Sequence, residues 1–421
     1  MPRLFIALLL IFATLPAHAA LQIDITQGTD GTMPIAVVPF GGGAPEDIAQ
    51  IVSADLARSG QFNTLAPSAM PEQPIDPQQV NLDAWRTVKR DYLVVGRVVR
   101  PDAVNFALEF YVLDVISGQQ LTAMSVSASR ADLRMGAHRV ADIVYEAITG
   151  VKGAFATRIA YITETGQPPM RRYSLEVADS DGYNPQSILE SKEPIMSPAW
   201  SRDGRKLAYV SFESRRSSIY VQDVYSGRRE LVASFPSING SPSWAPGGNK
   251  LALTLSKDGN PEIYVLDVAT RQTTRLTNSA AIDTEASWLP DGSGVVFTSD
   301  RGGRPQTYQV GVGGGAPKRL TFDGGYNARP SVSPDGQFLA TVQSCGGGFC
   351  IAVLDLKTGA SRTLSKGSQD EAPSFAPNSA MLLYASGGGV LRVASVLGQA
   401  NSTLSLQKGK VRDPAWGPFR Q

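Results

Sequence analysis

Ser197-Pro198-Ala199-Trp200-Ser201-Arg202-Asp203-Gly204 is the first full copy of a pattern that fills the second two-thirds of the chain. Three copies follow at a spacing of 44 residues: Ser241-Pro242-Ser243-Trp244-Ala245-Pro246-Gly247-Gly248, Glu285-Ala286-Ser287-Trp288-Leu289-Pro290-Asp291-Gly292 and Arg329-Pro330-Ser331-Val332-Ser333-Pro334-Asp335-Gly336. The last two copies are weaker: Ala372-Pro373-Ser374-Phe375-Ala376-Pro377-Asn378-Ser379 and the half-copy Asp413-Pro414-Ala415-Trp416. A repeat of about 40–45 residues is typical of β-propeller blades, which bury their apolar faces by stacking on one another.

Each copy opens a unit of four short strands. Proline fixes φ at the start of the turn, aspartate accepts backbone hydrogen bonds, and glycine takes the left-handed position. An apolar strand follows each turn, and six such strands begin at Ile159, Leu207, Leu251, Val295, Leu339 and Leu382. The strand at Ile159 has no pattern before it, so the half-copy at Trp416 supplies its innermost partner. The sequence therefore predicts an all-β, six-bladed propeller with WD40-like repeats over residues 158–421, closed by its own two ends.

The segment in front of the repeats is of a different kind. Residues 34–150 do not repeat, and their apolar spacing alternates between strand and helix patterns. We predict an α/β domain here, followed by a linker over residues 151–157. Its helices are expected near residues 45–59, 82–89 and 131–148, and three of its strands form an antiparallel meander. His138 falls on the third helix, where we interpret it as an ordinary interface or surface histidine.

Residues 1–19 have the features of a secretory signal peptide. Arg3 precedes an apolar run, and Ala17-His18-Ala19 gives the small-x-small cleavage pattern. The run is shorter than the ~20 residues that span a bilayer. We therefore expect cleavage before Ala20 and a soluble exported protein, with an uncleaved membrane anchor as the alternative.

Residues 20–33 form a separate N-terminal strand in this prediction. Leu21, Ile23 and Ile25 alternate with polar residues. Such half-polar alternation at a free end suits either a tucked edge strand or a strand lent to the sheet of another protein.

The composition argues against several classes of function. Without residues 1–19 the chain keeps 38 of its 39 Lys+Arg and all 38 Asp+Glu. A net charge near zero argues against nucleic-acid binding and against attachment to anionic membranes, both of which need a positive field. The chain has only 2 histidines, His18 and His138, so we expect no histidine-based metal or catalytic site.

No catalytic motif is present in the sequence. It contains no Gly-x-Ser-x-Gly elbow, no His-Glu-x-x-His pair and no Walker A loop. We therefore predict a non-enzymatic protein without a cofactor or a metal. Cys345 and Cys350 face each other across a short hairpin tip, and in an oxidising compartment we expect them to form a disulfide.

The functional surface follows from the repeat. Loops that join the last strand of one unit to the first strand of the next gather at one mouth of the channel, and propellers recognise partners with such loops. They mix Asn, Asp, Glu, Arg and a few apolar residues, a composition that suits a protein interface. These loops lie at residues 194–197, 238–241, 283–285, 326–329 and 370–371.

The whole chain after residue 19 resembles the TolB family of periplasmic proteins of the Tol–Pal system. In front of the ring, the resemblance is carried by Pro34-Ile35-Ala36-Val37-Val38-Pro39-Phe40, Ala44-Pro45-Glu46-Asp47-Ile48 and Gly150-Val151-Lys152-Gly153-Ala154-Phe155. In the ring it is carried by Met196-Ser197-Pro198-Ala199-Trp200-Ser201, Leu207-Ala208-Tyr209-Val210-Ser211-Phe212-Glu213-Ser214 and Gly302-Gly303-Arg304-Pro305-Gln306. The repeat alone is common to many propellers, whereas the front domain, linker and repeat in this order are specific.

The resemblance implies an adaptor with two binding regions. The propeller mouth would bind the peptidoglycan-associated lipoprotein Pal, and the N-terminal strand would bind the C-terminal domain of TolA. The resemblance also implies roles in outer-membrane integrity and in constriction at cell division. Other outer-membrane proteins would be further partners, and the protein would be a monomer that does not insert into a membrane. The implied Pal-binding residues are Met196, Ile238, Asn239, Ser241, Asp283, Thr284 and Glu285, and the implied TolA-binding residues are Leu21, Ile23 and Ile25.

Two other classes of protein stay open on the sequence alone. A propeller-fold polysaccharide lyase or hydrolase would need metal-binding or acid–base groups along the channel. A solute-binding or sensory periplasmic propeller would need a ligand pocket instead.

Overall fold

The computed structural model describes residues 31–100, 102, 104–397, 401–404 and 409–420. The predicted signal peptide and the strand residues Leu21, Ile23 and Ile25 lie outside the described residues. Among the helices that are described, none is both long and apolar enough to cross a membrane.

The front domain is a five-stranded sheet with helices on both faces. The sheet has the order β2-β1-β3-β4-β5, in which β1 runs parallel to β2 and β3 and the other pairs are antiparallel. The strands are Met33–Val37 (β1), Phe62–Thr64 (β2), Tyr92–Val99 (β3), Asn105–Asp114 (β4) and Gln120–Ser129 (β5). The helices are Ile48–Arg58 (α1), Leu82–Thr87 (α2) and Leu133–Thr149 (α3), with 3₁₀ turns at Pro67–Ala69 and Pro77–Gln79.

Local sequence sets the ends of the two long helices. The Asp47 carboxylate accepts the backbone N–H of Gln50 at 3.0 Å and so caps the start of α1. Gly150 follows α3 with φ of 73°, a left-handed conformation that glycine adopts without strain and that ends the helix. The apolar faces of α1 and α3 pack on one side of the sheet, and Trp85 of α2 packs on the other.

Six four-stranded antiparallel sheets form the ring, and we number them in chain order. Blade 1 contains Arg158–Thr165 (β6), Arg172–Asp179 (β7), Gln186–Ser191 (β8) and the late strand Lys410–Trp416, labelled β29 below. Blade 2 contains Ile195–Trp200 (β9), Lys206–Ser211 (β10), Ser218–Asp223 (β11) and Arg229–Ala233 (β12), and blade 3 contains Asn239–Trp244 (β13), Lys250–Leu255 (β14), Glu262–Asp267 (β15) and Thr273–Arg275 (β16). Blade 4 contains Asp283–Trp288 (β17), Gly294–Ser299 (β18), Gln306–Gly311 (β19) and Gly314–Arg319 (β20).

The last two blades complete the count. Blade 5 contains Asn327–Val332 (β21), Phe338–Cys345 (β22), Gly348–Asp355 (β23) and Ser361–Thr363 (β24). Blade 6 contains Glu371–Phe375 (β25), Met381–Ser386 (β26), Val390–Ser395 (β27) and Asn401–Thr403 (β28). A disulfide joins Cys345 to Cys350 across the hairpin of β22 and β23. This architecture confirms the predicted fold class, an α/β domain followed by a six-bladed propeller.

The ring closes as the sequence predicts. Strand β29 pairs antiparallel with β6, and Trp416 lies opposite Ile159. The Trp416 backbone N–H donates to Ser374 Oγ of blade 6 at 2.8 Å, and its indole N–H donates to Thr157 Oγ1 of the linker at 2.8 Å. One residue near the end of the chain therefore joins the first blade, the last blade and the linker.

We expect Trp416→Ala to lower the free energy of unfolding by about 3–5 kcal/mol, because it removes a buried indole from the closing strand. Trp416→Phe keeps most of the packing and loses one hydrogen bond, so it should cost about 1–2 kcal/mol. Urea unfolding followed by circular dichroism measures both. As a control, Leu397→Ala removes a side chain that is 56% exposed and should stay within about 0.5 kcal/mol of the unchanged protein. Equal losses for Trp416→Ala and Leu397→Ala would contradict closure through β29.

Candidate functional site: the open mouth of the propeller

The two mouths of the ring have different surroundings. At one mouth, the linker and the front domain contact turns of blades 6 and 1, between the first and second strands and between the third and fourth strands respectively. Asn378, in a turn of the first kind, donates through its side chain to the carbonyl of Lys152, and Asp181, in a turn of the second kind, pairs with Arg134. The loops between blades and the turns between second and third strands lie at the opposite face, which we call the open mouth.

A bulge shapes each innermost strand where it enters the channel. In all six innermost strands the pairing register with the second strand shifts at one place. One residue at each shift has a positive φ, between 46° and 60°, and five of the six residues precede a proline, which has no N–H to give to the ladder. These six residues, which we call the bulge ring, line the channel: Ser197, Ser241, Glu285, Arg329, Ala372 and Asp413.

Side chains of the preceding blade stabilise the bulge ring. The backbone N–H of Ser197 donates to the Asp413 carboxylate at 3.2 Å, and that of Arg329 donates to the Glu285 carboxylate at 3.0 Å. The N–H of Glu285 donates to Thr254 Oγ1 at 3.1 Å. A left-handed conformation in a residue other than glycine costs about 1–3 kcal/mol and persists only when its surroundings enforce it. The bulge ring therefore depends on contacts between blades.

Arg329 forms the electrostatic centre of the channel. Its guanidinium lies 2.8 Å from Asp413 Oδ1, 3.3 Å from Glu285 Oε1 and 4.0 Å from Glu371 Oε2. It thus connects blade 5 to blades 4, 6 and 1. Burial opposes its charge, but these three carboxylates raise the pKa of Arg329 above its usual value. Burial raises the pKa of Glu371, an effect that Arg329 partly offsets.

Five of the seven residues predicted for the mouth have accessible side chains. Ile238 is 48% exposed. Met196, Ser241, Thr284 and Glu285 are half-buried around the channel entrance. The structure therefore brings these five residues together on the open mouth.

Asn239 and Asp283 are instead buried, with 1% and 0% exposure. Asn239 Oδ1 accepts the backbone N–H of Phe235 at 2.8 Å, and its Nδ2 donates to the Phe235 carbonyl at 2.8 Å. Asp283 accepts a 2.6 Å hydrogen bond from Arg301, while burial raises the pKa of its carboxyl. Both side chains fix the shape of a mouth loop from inside and are not exposed for contact.

The mouth contains further residues that the sequence interpretation did not single out. Arg329 and Asp413 occupy the same position of the repeat as Ser241 and Glu285, so aligning the copies could have found them. Three further exposed apolar side chains lie on this face: Ile282 (50% exposed), Phe322 (70%) and Phe349 (41%). Ile282 stands one repeat of 44 residues after Ile238, so aligning the copies could have found it too, whereas no position of the repeat marks the two phenylalanines.

The channel is a cavity of about 820 Å³ lined by the six innermost strands and the turns that follow them. Within the described ranges, no group of three or more His, Cys, Asp or Glu side chains has an arrangement that could hold a metal ion. The mouth thus combines a rigid ion-paired centre with a rim of half-buried polar and exposed apolar side chains.

This combination defines a β-propeller protein whose free mouth suits the binding of another protein. Residues 145–420 match the family described as TolB beta propeller domain, and residues 21–121 match the TolB amino-terminal domain. The chain belongs to the TolB family.

Similar proteins cover the full length of the chain. It is 61% identical over 430 residues to the Tol-Pal system protein TolB of Thioalkalivibrio sulfidiphilus, with 100% of this chain and 99% of that protein covered. It is 60% identical over 416 residues to the Tol-Pal system protein TolB of Methylococcus capsulatus, with 98% of each covered. The crystal structure of TolB from Acinetobacter baumannii matches with a TM-score of 0.88 and 40% identity, covering 95% of this chain and 100% of that one.

We expect Arg329→Met to lower the free energy of unfolding by about 2 kcal/mol at pH 7, because it leaves Glu285, Glu371 and Asp413 facing one another without a cation. This value is below that for a fully buried pair, since the Arg329 side chain is 30% exposed. Burial already raises the pKa of Glu371, and removal of Arg329 would raise it further, so the loss should shrink as pH falls and this carboxyl takes up a proton. Thermal unfolding between pH 5 and pH 8 measures this dependence.

Arg304→Met is the matched control, because it removes an exposed arginine from the same face. It should change stability by less than about 0.5 kcal/mol at every pH. A loss in Arg329→Met that does not vary with pH would show that the guanidinium acts by packing alone.

Proposed function

We propose that the protein is a non-enzymatic periplasmic adaptor of the Tol–Pal system. In this proposal the open mouth binds Pal, and the N-terminal strand, residues 20–33, binds the C-terminal domain of TolA. The adaptor would serve outer-membrane integrity and constriction at cell division. One observation carries the proposal for the mouth: an accessible, preshaped face lies opposite the front domain, in a chain of the TolB family.

The shape of the mouth supports protein binding for a physical reason. Buried caps such as Asn239 and Asp283 hold its loops before any partner arrives, which lowers the entropy lost on binding. Exposed apolar side chains such as Ile238 and Phe322 offer surface that association would remove from water. The strong charges of the bulge ring are already paired, so a partner meets few isolated ions there.

An alternative is a solute-binding or sensory periplasmic propeller, favoured by the channel cavity of about 820 Å³. The two functions predict different ligands. A solute receptor would show a rise in unfolding temperature with a small molecule and no binding of Pal, whereas the adaptor would bind Pal.

We expect the protein to bind the soluble domain of Pal from the same organism in a calorimetric titration. Thr284→Arg should weaken this binding at least about a hundredfold, or about 2.7 kcal/mol, because it puts a long charged side chain beside the channel entrance. Thr358→Arg adds the same charge at an exposed position on the opposite face and should change affinity less than about threefold. Absence of binding by the unchanged protein would refute the adaptor function, and equal weakening by both variants would refute the mouth as the site.

We expect TolA binding to depend on alternate residues of the N-terminal strand, because strand addition directs every second side chain to one face. Ile23→Asp should weaken binding of the TolA C-terminal domain at least about tenfold. Gln22→Asp introduces the same charge one residue earlier and should change affinity less than about threefold. Equal effects would rule out an alternating contact, and Pal binding measured on both variants checks that the mouth is unaffected.

A further inference from the structure

A cluster of charged side chains is buried where the front domain meets the propeller. His138 of α3 is fully buried at its centre. Its Nδ1 lies 2.6 Å from Asp55 Oδ2 of α1, and its Nε2 lies 3.6 Å from Asp181 Oδ2, in the turn between β7 and β8 of blade 1. The imidazole therefore lies between one carboxylate of each domain.

Other charges surround this histidine from every element that packs against it. Arg58 of α1 pairs with Asp55 at 2.6 Å, and Arg134 of α3 pairs with Asp181. Glu46, near the start of α1, and Arg420, near the chain end, interact electrostatically with the cluster at longer range. Two further carboxyls complete the set: Asp142, one turn along α3, and Asp179, at the end of β7.

Asp142 connects the cluster to the linker. Its carboxylate accepts the backbone N–H groups of Phe155 at 2.6 Å and Ala156 at 3.2 Å. The linker also passes directly over the helix, since a Cβ on Gly153 would lie 2.3 Å from the Cα of Asp142. Separation of the domains would consequently expose His138 and disturb Asp142 together.

We propose that this buried cluster is a pH-sensitive lock, which holds the front domain on the propeller more tightly as the pH falls from alkaline to mildly acidic values. The inference concerns the junction between the domains and is independent of the partners proposed above. A periplasmic protein experiences the pH outside the cell more directly than a cytoplasmic one, so the lock would make domain docking responsive to the medium.

The direction follows from proton binding by His138. Burial lowers the pKa of His138, but Asp55 and Asp181 outweigh this effect and raise the pKa above 6.5. In separated domains the imidazole would lose Asp181 and meet water, so its pKa would fall back. Docking therefore takes up a proton above pH 6.5, and the stabilisation is lost as pH rises through the raised pKa.

Asp142 acts in the same direction. Burial raises the pKa of its carboxyl to about 7, against 3.8 for an exposed aspartate. Between these two values docking favours the protonated carboxyl, so stability declines as pH rises towards 7. Asp181 acts oppositely: burial is outweighed by His138, Arg58 and Arg134, which lower its pKa, so its contribution disappears only in strong acid.

Amide hydrogen exchange of the linker, residues 152–157, tests the lock. Intrinsic exchange rises tenfold per pH unit, and each proton released on opening multiplies the rise by up to about tenfold per pH unit. Between about pH 6.5 and pH 8.5, the linker should therefore show a steeper rise than tenfold, while β14 in blade 3 shows the intrinsic rise alone. If the exchange rate of the linker amides rises only tenfold per pH unit, as intrinsic exchange does, the proposal is overturned.

Two substitutions show which side chain, His138 or Asp142, releases the proton when the domains separate. His138→Gln replaces the imidazole by a polar side chain that does not titrate. It should reduce the extra pH dependence of linker exchange. Asp142→Asn removes the titrating carboxyl and keeps one oxygen to accept the N–H of Phe155, although its amide nitrogen cannot accept the N–H of Ala156. It should remove the extra pH dependence of linker exchange that remains below about pH 7. An unchanged pH dependence in His138→Gln would overturn the central role of the imidazole.

A measurement on the protein without any change at the junction covers the case in which these variants do not fold. The chain has 2 histidines, and His18 lies in the predicted signal peptide, so protein that begins at Ala20 carries His138 as the single imidazole for NMR titration of histidine-labelled protein. We expect His138 to lose its proton above pH 6.5 and within a scan from about pH 5 to pH 9. A midpoint below 6.5, or a proton retained throughout the scan, would falsify the lock.

Discussion

The pairing of β29 with β6 is the contact on which the rest of the ring depends. A single blade cannot bury both of its apolar faces, so each blade is stable only between two neighbours. The sixth blade meets the first because residues near the end of the chain supply the first blade with its innermost strand. Trp416 carries this closure to the domain junction through its hydrogen bond to Thr157.

The closed ring in turn holds the conformations that form the mouth. The six residues of the bulge ring have positive φ angles, which are unfavourable for residues other than glycine. Neighbouring blades supply the compensating hydrogen bonds, and Arg329 connects carboxylates from blades 4, 6 and 1. The open mouth is therefore a product of ring geometry, and its shape cannot be separated from closure.

Sequence patterns predicted what repeats and missed what depends on distant neighbours. The 44-residue spacing predicted the blades, and the half-copy at Trp416 predicted closure. Burial of Asn239 and Asp283 was not predictable, because it depends on loops that fold back over them. The ion pairs of Arg329 were not predictable either, because they connect residues from separate blades. The burial of His138 depends on docking of two domains, and no local pattern marks that event.

The position of the closing strand also fixes an order in time. A ribosome makes β29 after every other strand that the structure describes. Until that strand emerges, blade 1 lacks its inner edge and the ring has two open sides. The late position of β29 therefore delays closure of the ring until almost the whole chain has been made.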